Sequence, residues 1–306
     1  MPPDRGRDAA RRLVWRGFGA LWLLDGLLQL QPAMFTAAFV RQVLEPLLSG
    51  QPAWLEGLLR GGIGLWSAAP ALADASAAAV QLAIGVLLLA WPERPPGRAG
   101  LVLAILWSLV VWVWGEGLGM ALVPGASLVT GAPGSVTVYA VAALWLLSRD
   151  ARGWTARAFL VALWAGAGAV QLATPALWTG PGLAGLFSGA ATPQPAPLSD
   201  AVRGAAALAR AYPTALNAAL GGGMLVAAAA WLPLGAAFRR IAFAVGIVLA
   251  GLIWIFGQDM GVFGGTGTDP NTALPLGVLG WAAWRACPPA RRVRCGSRAW
   301  GGLPEV

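Results

Sequence analysis

Asp25 is a carboxylate inside an apolar run, nine residues past Arg16. At ~1.5 Å per helical residue it lies about 13 Å along the segment, near the middle of a bilayer. An ionisable side chain there costs about 2.5–3.5 kcal/mol to insert, so it serves a function or has a partner. Trp22 and Gln29 stand three residues before and four after it, on the same helical face. Two roles fit this stripe. One is ligand or proton handling; the other is packing, with Asp25 capping a broken helix or bonding an indole. Glu116 and Gln258 each stand 18 residues beyond an arginine, Arg98 and Arg240, with Asp259 adjacent to the second. That places both about 27 Å up their helices, at the outer ends. Asp25, Gln29, Glu116, Gln171, Gln258 and Asp259 are the candidate ligand-binding residues.

Other chemistries are excluded by residue type. The chain has no His, which removes imidazole metal sites and Ser–His or Cys–His catalytic pairs. Its two cysteines, Cys287 and Cys295, cannot alone ligate an iron–sulfur cluster. They are either free thiols of a reducing cytoplasm or a redox pair. No metal site and no catalytic motif is expected. Carboxylate and glutamine near an outer membrane face suit transport or ligand docking better than a self-contained enzyme.

The candidates are tied together by an internal repeat. Trp112-Val113-Trp114-Gly115-Glu116 returns 142 residues later as Trp254-Ile255-Phe256-Gly257-Gln258. Leu21-Trp22, Gly26 and Gln29 return at the same offset as Leu163-Trp164, Gly168 and Gln171. Glu116 and Gln258 are thus equivalent, and the glutamine at 29 and 171 belongs to the shared scaffold. Asp25 has Ala167 as its counterpart and belongs to the first half alone. Gln81 and Asn217 read as interhelical hydrogen bonds. Both motifs lead into glycine-rich segments, 119–135 and 261–272. These match no phosphate loop, since they lack Lys and follow no strand. They read as turns and helix caps, with Thr268-Asp269-Pro270-Asn271-Thr272 as a helix start, or as loops lining a ligand.

The elements that carry these residues are membrane helices. Hydrophobic residues make up 58% of the 306 and charged residues only 11%, against about 25% in soluble domains. Apolar runs fall at 13–31, 76–91, 99–116, 135–148, 157–173, 213–233, 239–257 and 272–286. The expected fold is an all-α polytopic membrane protein of about eight transmembrane helices, built as two tandem parallel four-helix repeats. Residues 13–148 and 157–286 form the repeats. A basic N-terminus over 1–12 and a basic tail over 287–306 flank them. The first run reads as a retained helix and not as a signal peptide, because its counterpart recurs at 159–173.

Charge orients the spans. Seventeen of the 21 arginines fall in the tails and the even-numbered loops, which places both termini in the cytoplasm of a cell membrane. The net charge of +8 is accounted for by topology and anionic lipid, so no nucleic-acid partner is expected. An even number of spans per repeat makes the halves parallel, related by an axis along the membrane normal. Long external loops over 32–74 and 175–212 follow the first span of each half. Residues 34–60 have amphipathic helical spacing, interrupted at Pro46 and Pro52 and resumed from Trp54, suited to the outer surface or to a membrane or periplasmic protein partner. Residues 192–197 read as an extended linker.

Four spans per unit, cytoplasmic ends, a long external loop and the start Arg16-Gly17, Leu21-Trp22, Asp25-Gly26 resemble the DoxX/DoxD group. That group includes the small membrane subunit of thiosulfate:quinone oxidoreductase. The resemblance implies a membrane component of a redox or envelope system, possible contact with quinone, and no metal of its own. It carries over no active-site residue. A small-molecule or ion transporter with a polar site between the repeats is the competing expectation, and a scaffold holding a partner by its external loops is a third.

Overall fold

The computed structural model describes residues 5–148, 150, 153–192 and 194–286, and every regular element among them is helical. Helix α1 is Arg5–Leu28, and α2 is the short turn Ala37–Phe39, capped by the Thr36 hydroxyl. After it come α3 (Ala53–Ala68), α4 (Pro70–Ala90), α5 (Pro95–Val110, widening into a π turn at Val111–Gly115) and α6 (Ser135–Leu147). The remaining helices are α7 (Trp154–Ala173), α8 (Gly180–Ser188), α9 (Ala196–Ala211), α10 (Pro213–Ala229), α11 (Ala236–Phe256) and α12 (Ala273–Ala286). Proline opens α4, α5 and α10, where its missing N–H needs no partner.

Four of these helices are long and apolar enough to cross a membrane: Pro70–Ala90, Pro95–Gly115, Trp154–Ala173 and Ala236–Phe256. Two shorter apolar helices are Ser135–Leu147 and Pro213–Ala229. The second apolar run begins earlier than its composition suggests. Pro70 starts α4 six residues ahead of 76, so Asp74 lies in the helix and is fully buried there. Residues 196–197 likewise belong to α9 and not to an extended linker. Cys287, Cys295 and the rest of the 287–306 tail lie outside the described residues, as do Arg149 and Arg152.

Glycine sets the closest helix contacts. A Cβ on Gly26 of α1 would fall 2.7 Å from Leu82 Cγ, and one on Gly85 of α4 would fall 2.6 Å from Leu23 Cγ. Helices α7 and α10 meet in the same way, with a Cβ on Gly168 falling 2.9 Å from the Gly221 carbonyl. Small residues let membrane helices approach this closely. The core runs unbroken from α1 and α6 through α12 to α7 and α10, with Trp15, Trp22, Tyr139, Trp145 and Trp164 buried in it. Arg11 crosses from α1 to donate to the Leu146 carbonyl at 2.7 Å, and buried Arg157 donates to the Trp231 carbonyl at 2.9 Å. Each guanidinium thereby satisfies a carbonyl near a helix C-terminus.

The 34–60 segment is not one amphipathic helix. Short helical turns run on from Ala37 to Leu48 with Pro46 inside the last of them, the break falls at 49–52, and Met34, Phe39, Val40 and Leu44 form a small buried cluster under α3. Helix α3 keeps Trp54, Leu58 and Leu65 exposed.

Candidate functional site

The two repeated motifs do the same structural work. In each, the helix ends on a wide turn: the Glu116 N–H donates to the Val111 carbonyl at 2.8 Å, and the Gln258 N–H to the Ile253 carbonyl at 3.0 Å. In each, the tryptophan holds the following loop. Trp112 Nε1 donates to the Pro133 carbonyl and Trp254 Nε1 to the Pro270 carbonyl, both at 2.8 Å. In each, the side chain at the fifth motif position caps the next helix. Glu116 Oε1 accepts from the Ser135 N–H at 2.9 Å and its hydroxyl at 2.6 Å; Gln258 Oε1 accepts from the Thr272 N–H at 3.1 Å. The caps are supplied from the end of the preceding helix and not by the Asp or Asn of the loop itself.

Beyond this the halves diverge. In the second half the candidate amides and Asp259 are bonded. Gln171 accepts from the Ser127 hydroxyl at 2.7 Å and donates to Asn217 Oδ1 at 2.8 Å. Gln258 Nε2 donates to the Leu128 carbonyl at 2.9 Å. Asp259 accepts from the Gly261 N–H at 2.9 Å and from Asn271 Nδ2 at 3.2 Å. The loop 127–131 thus bonds to Gln171, Gln258 and Thr272.

The reverse crossing leaves a cavity. Gln31 of the first half donates to the Gly267 carbonyl at 2.9 Å. This brings Thr268 and Asp269 of the second half over a pocket in the first, with a volume of about 90 Å³. Asp25, Gln29, Gln81, Glu116, Tyr139 and Asp269 supply its polar wall. Trp22, Phe39, Trp66, Trp107 and Trp114 supply its aromatic wall. Among the described residues no Arg lines it. The charge of Asp269 acts on both Asp25 and Glu116.

Several polar atoms facing this space are unpaired. Asp25 is 3% exposed, and its Oδ1 meets no hydrogen-bond partner among the described residues. The same holds for Gln29 Oε1, Gln81 Oε1 and Glu116 Oε2. The Tyr139 hydroxyl faces Asp25 without reaching hydrogen-bonding geometry, its ring held edge-on by Trp22 at 4.8 Å and Phe18 at 5.3 Å. Most buried polar groups in folded proteins have partners. Asp269 is better provided, since its Oδ1 accepts from the Asn271 N–H at 2.7 Å and its Oδ2 from the Thr268 hydroxyl at 3.1 Å. Burial pushes the Asp269 carboxyl above its ordinary value, and these bonds pull against the shift. Burial also raises Asp259, against its bonds to Gly261 and Asn271.

The six candidates therefore do not share one site. Asp25, Gln29 and Glu116 line the pocket; Gln171, Gln258 and Asp259 are committed to packing and capping. Gln81, expected to bond between helices as Asn217 does, lines the pocket with its carbonyl unpaired. Asp269 and Tyr139 were not legible as site residues. Asp269 carries a helix-start signature, and it does form that turn; only the chain crossing between halves turns it toward Asp25. Among the described residues no group of three or more His, Cys, Asp or Glu side chains could hold a metal ion. No family model, curated protein or solved structure matches this chain.

Proposed function

We propose that the chain is an eight-span protein of the cell membrane that binds and moves a small polar solute through the pocket around Asp25. In this reading α1, α4, α5 and α6 form one four-span unit and α7, α10, α11 and α12 a parallel second unit, with both termini cytoplasmic. Several features support it. Helices cover all eight apolar runs. The glycine-packed pair α1–α4 has a counterpart in α7–α10. The arginines are concentrated in the loops assigned to the cytoplasm. The observation that carries the solute reading is the set of unpaired carboxyl and amide oxygens around a buried cavity. Buried ionisable residues in membrane helices mark solute paths when no internal partner neutralises them.

A second reading is a DoxX-like membrane component of a redox or envelope system. Its support is the span layout, together with three unpaired donors at the pocket, the Tyr139 hydroxyl and the Trp66 and Trp107 indoles, which suit a quinone carbonyl.

The test is efflux from vesicles loaded with a small-metabolite extract, read by mass spectrometry. The solute reading expects selective release that Asp25→Asn and Glu116→Gln each abolish. Identical release from wild type and both variants refutes it.

A further inference from the structure

We propose that the pocket takes a small organic cation bearing N–H groups, a protonated amine or a guanidinium compound. This deepens the solute reading and rests on it. The inference comes from matching the unpaired atoms to a ligand. Four of those lining the pocket are acceptors, Asp25 Oδ1, Gln29 Oε1, Gln81 Oε1 and Glu116 Oε2, beside three donors, the Tyr139 hydroxyl and the Trp66 and Trp107 indoles. A ligand that satisfies the acceptors must donate several hydrogen bonds. Three carboxyl groups face the cavity, and among the described residues no arginine does. A cation restores the balance, whereas an anion would add to the repulsion.

The aromatic wall selects the kind of cation. The indoles of Trp22, Trp66, Trp107 and Trp114 border the same space. Aromatic faces attract ammonium and guanidinium groups and do so more strongly where water is excluded. A bare metal ion is a poor fit, because the carboxyl groups do not converge into a cluster able to hold one. The cavity of about 90 Å³ has room for several waters or one compact ligand, given that a water needs roughly 10–15 Å³ on the same measure. The second half provides the contrast. There Gln171 and Asn217 bond to each other and Ser127 bonds to Gln171, so these side chains leave no unpaired acceptor.

The test is the melting temperature of the detergent-solubilised full chain, titrated with methylammonium, guanidinium, tetramethylammonium, sodium, acetamide and acetate. Methylammonium or guanidinium is expected to stabilise the protein. Tetramethylammonium, which carries no N–H, is expected to bind about tenfold or more weakly, the worth of one charged hydrogen bond. Asp25→Asn should weaken the methylammonium or guanidinium response by a similar factor. Asp269→Asn is the second variant, read in the same way should Asp25→Asn prove unstable. An Asp25-dependent response to acetamide, acetate or sodium, with the N–H cations silent, overturns the cation assignment and leaves the solute pocket standing. Equal binding of tetramethylammonium and methylammonium overturns the role of the unpaired acceptors. No response to any probe in the folded wild type overturns both the cation assignment and the solute reading.

Discussion

Replacing the same glutamine in the two halves should change stability in opposite directions. Gln171 and Gln29 stand 142 residues apart, at matching positions of the proposed repeats, and are 1% and 4% exposed. Leucine at 171 strands the Ser127 hydroxyl and Asn217 Oδ1, both buried and both bonded to Gln171 in the native chain. Each stranded group costs about 1–3 kcal/mol in a water-soluble protein, whereas interhelical bonds in a membrane average about 0.6 kcal/mol. The expected loss for Gln171→Leu is therefore about 1–3 kcal/mol. Leucine at 29 strands nothing, because Gln29 Oε1 has no partner to lose. It removes an unsatisfied buried carbonyl, and the expected gain is up to about 1 kcal/mol. Ligand binding should be lost with it, the usual exchange of stability against function. The double variant Gln171→Leu/Asn217→Leu should recover part of the single loss, since both partners then leave together. The assay is unfolding in mixed micelles of mild detergent and SDS, followed by the fluorescence of the 17 tryptophans. Destabilisation of equal size at 29 and 171 would refute the division into an open and a filled half.

Gly26→Val should destabilise by about 1–3 kcal/mol, because its Cβ would meet the Leu82 backbone nitrogen at 2.9 Å and cannot be relieved by a rotamer change; the same unfolding assay reads it. Burial holds the Asp259 carboxyl above its ordinary 3.8, so the folded chain binds that proton more tightly than the unfolded one. The stabilisation is complete below the ordinary value and is lost as pH rises through the folded value. Melting temperature should therefore fall upward from about pH 4, and Asp259→Asn should flatten that fall. Topology is checked by single reporters in a chain with Cys287 and Cys295 replaced by Ser. Glu56→Cys and Asp200→Cys should label from outside, and Glu93→Cys and Arg240→Cys only from the cytoplasmic side. Labelling of residues 93 and 240 from opposite sides contradicts parallel repeats.

Local pattern carried much of this architecture. Apolar runs and the prolines that open them place the helices, because the signal lies within each segment. The motif recurring at an offset of 142 picks out Gln29, Glu116, Gln171 and Gln258 for the same reason. The start of α4 was obscured by Asp74 and Ser76, whose polarity hides a helix that Pro70 begins. The pocket itself was only half legible. Asp25 and Glu116 stand out as carboxylates in apolar surroundings, yet the division between open and filled halves depends on loops that cross. Ser127 reaches Gln171 across 44 residues, and Gln31 reaches Gly267 across 236. No helical or repeat periodicity encodes such a crossing. Tyr139 sits in a continuous apolar helix, where one tyrosine gives no sign that its hydroxyl faces a carboxylate.

The most direct test of the central claim is native mass spectrometry of the full chain extracted in mild detergent, beside Asp25→Asn prepared identically. A small nitrogenous cation should be bound to the wild type and missing from the variant. Wild type and variant carrying the same phospholipid or quinone, with no such cation in either, would contradict it.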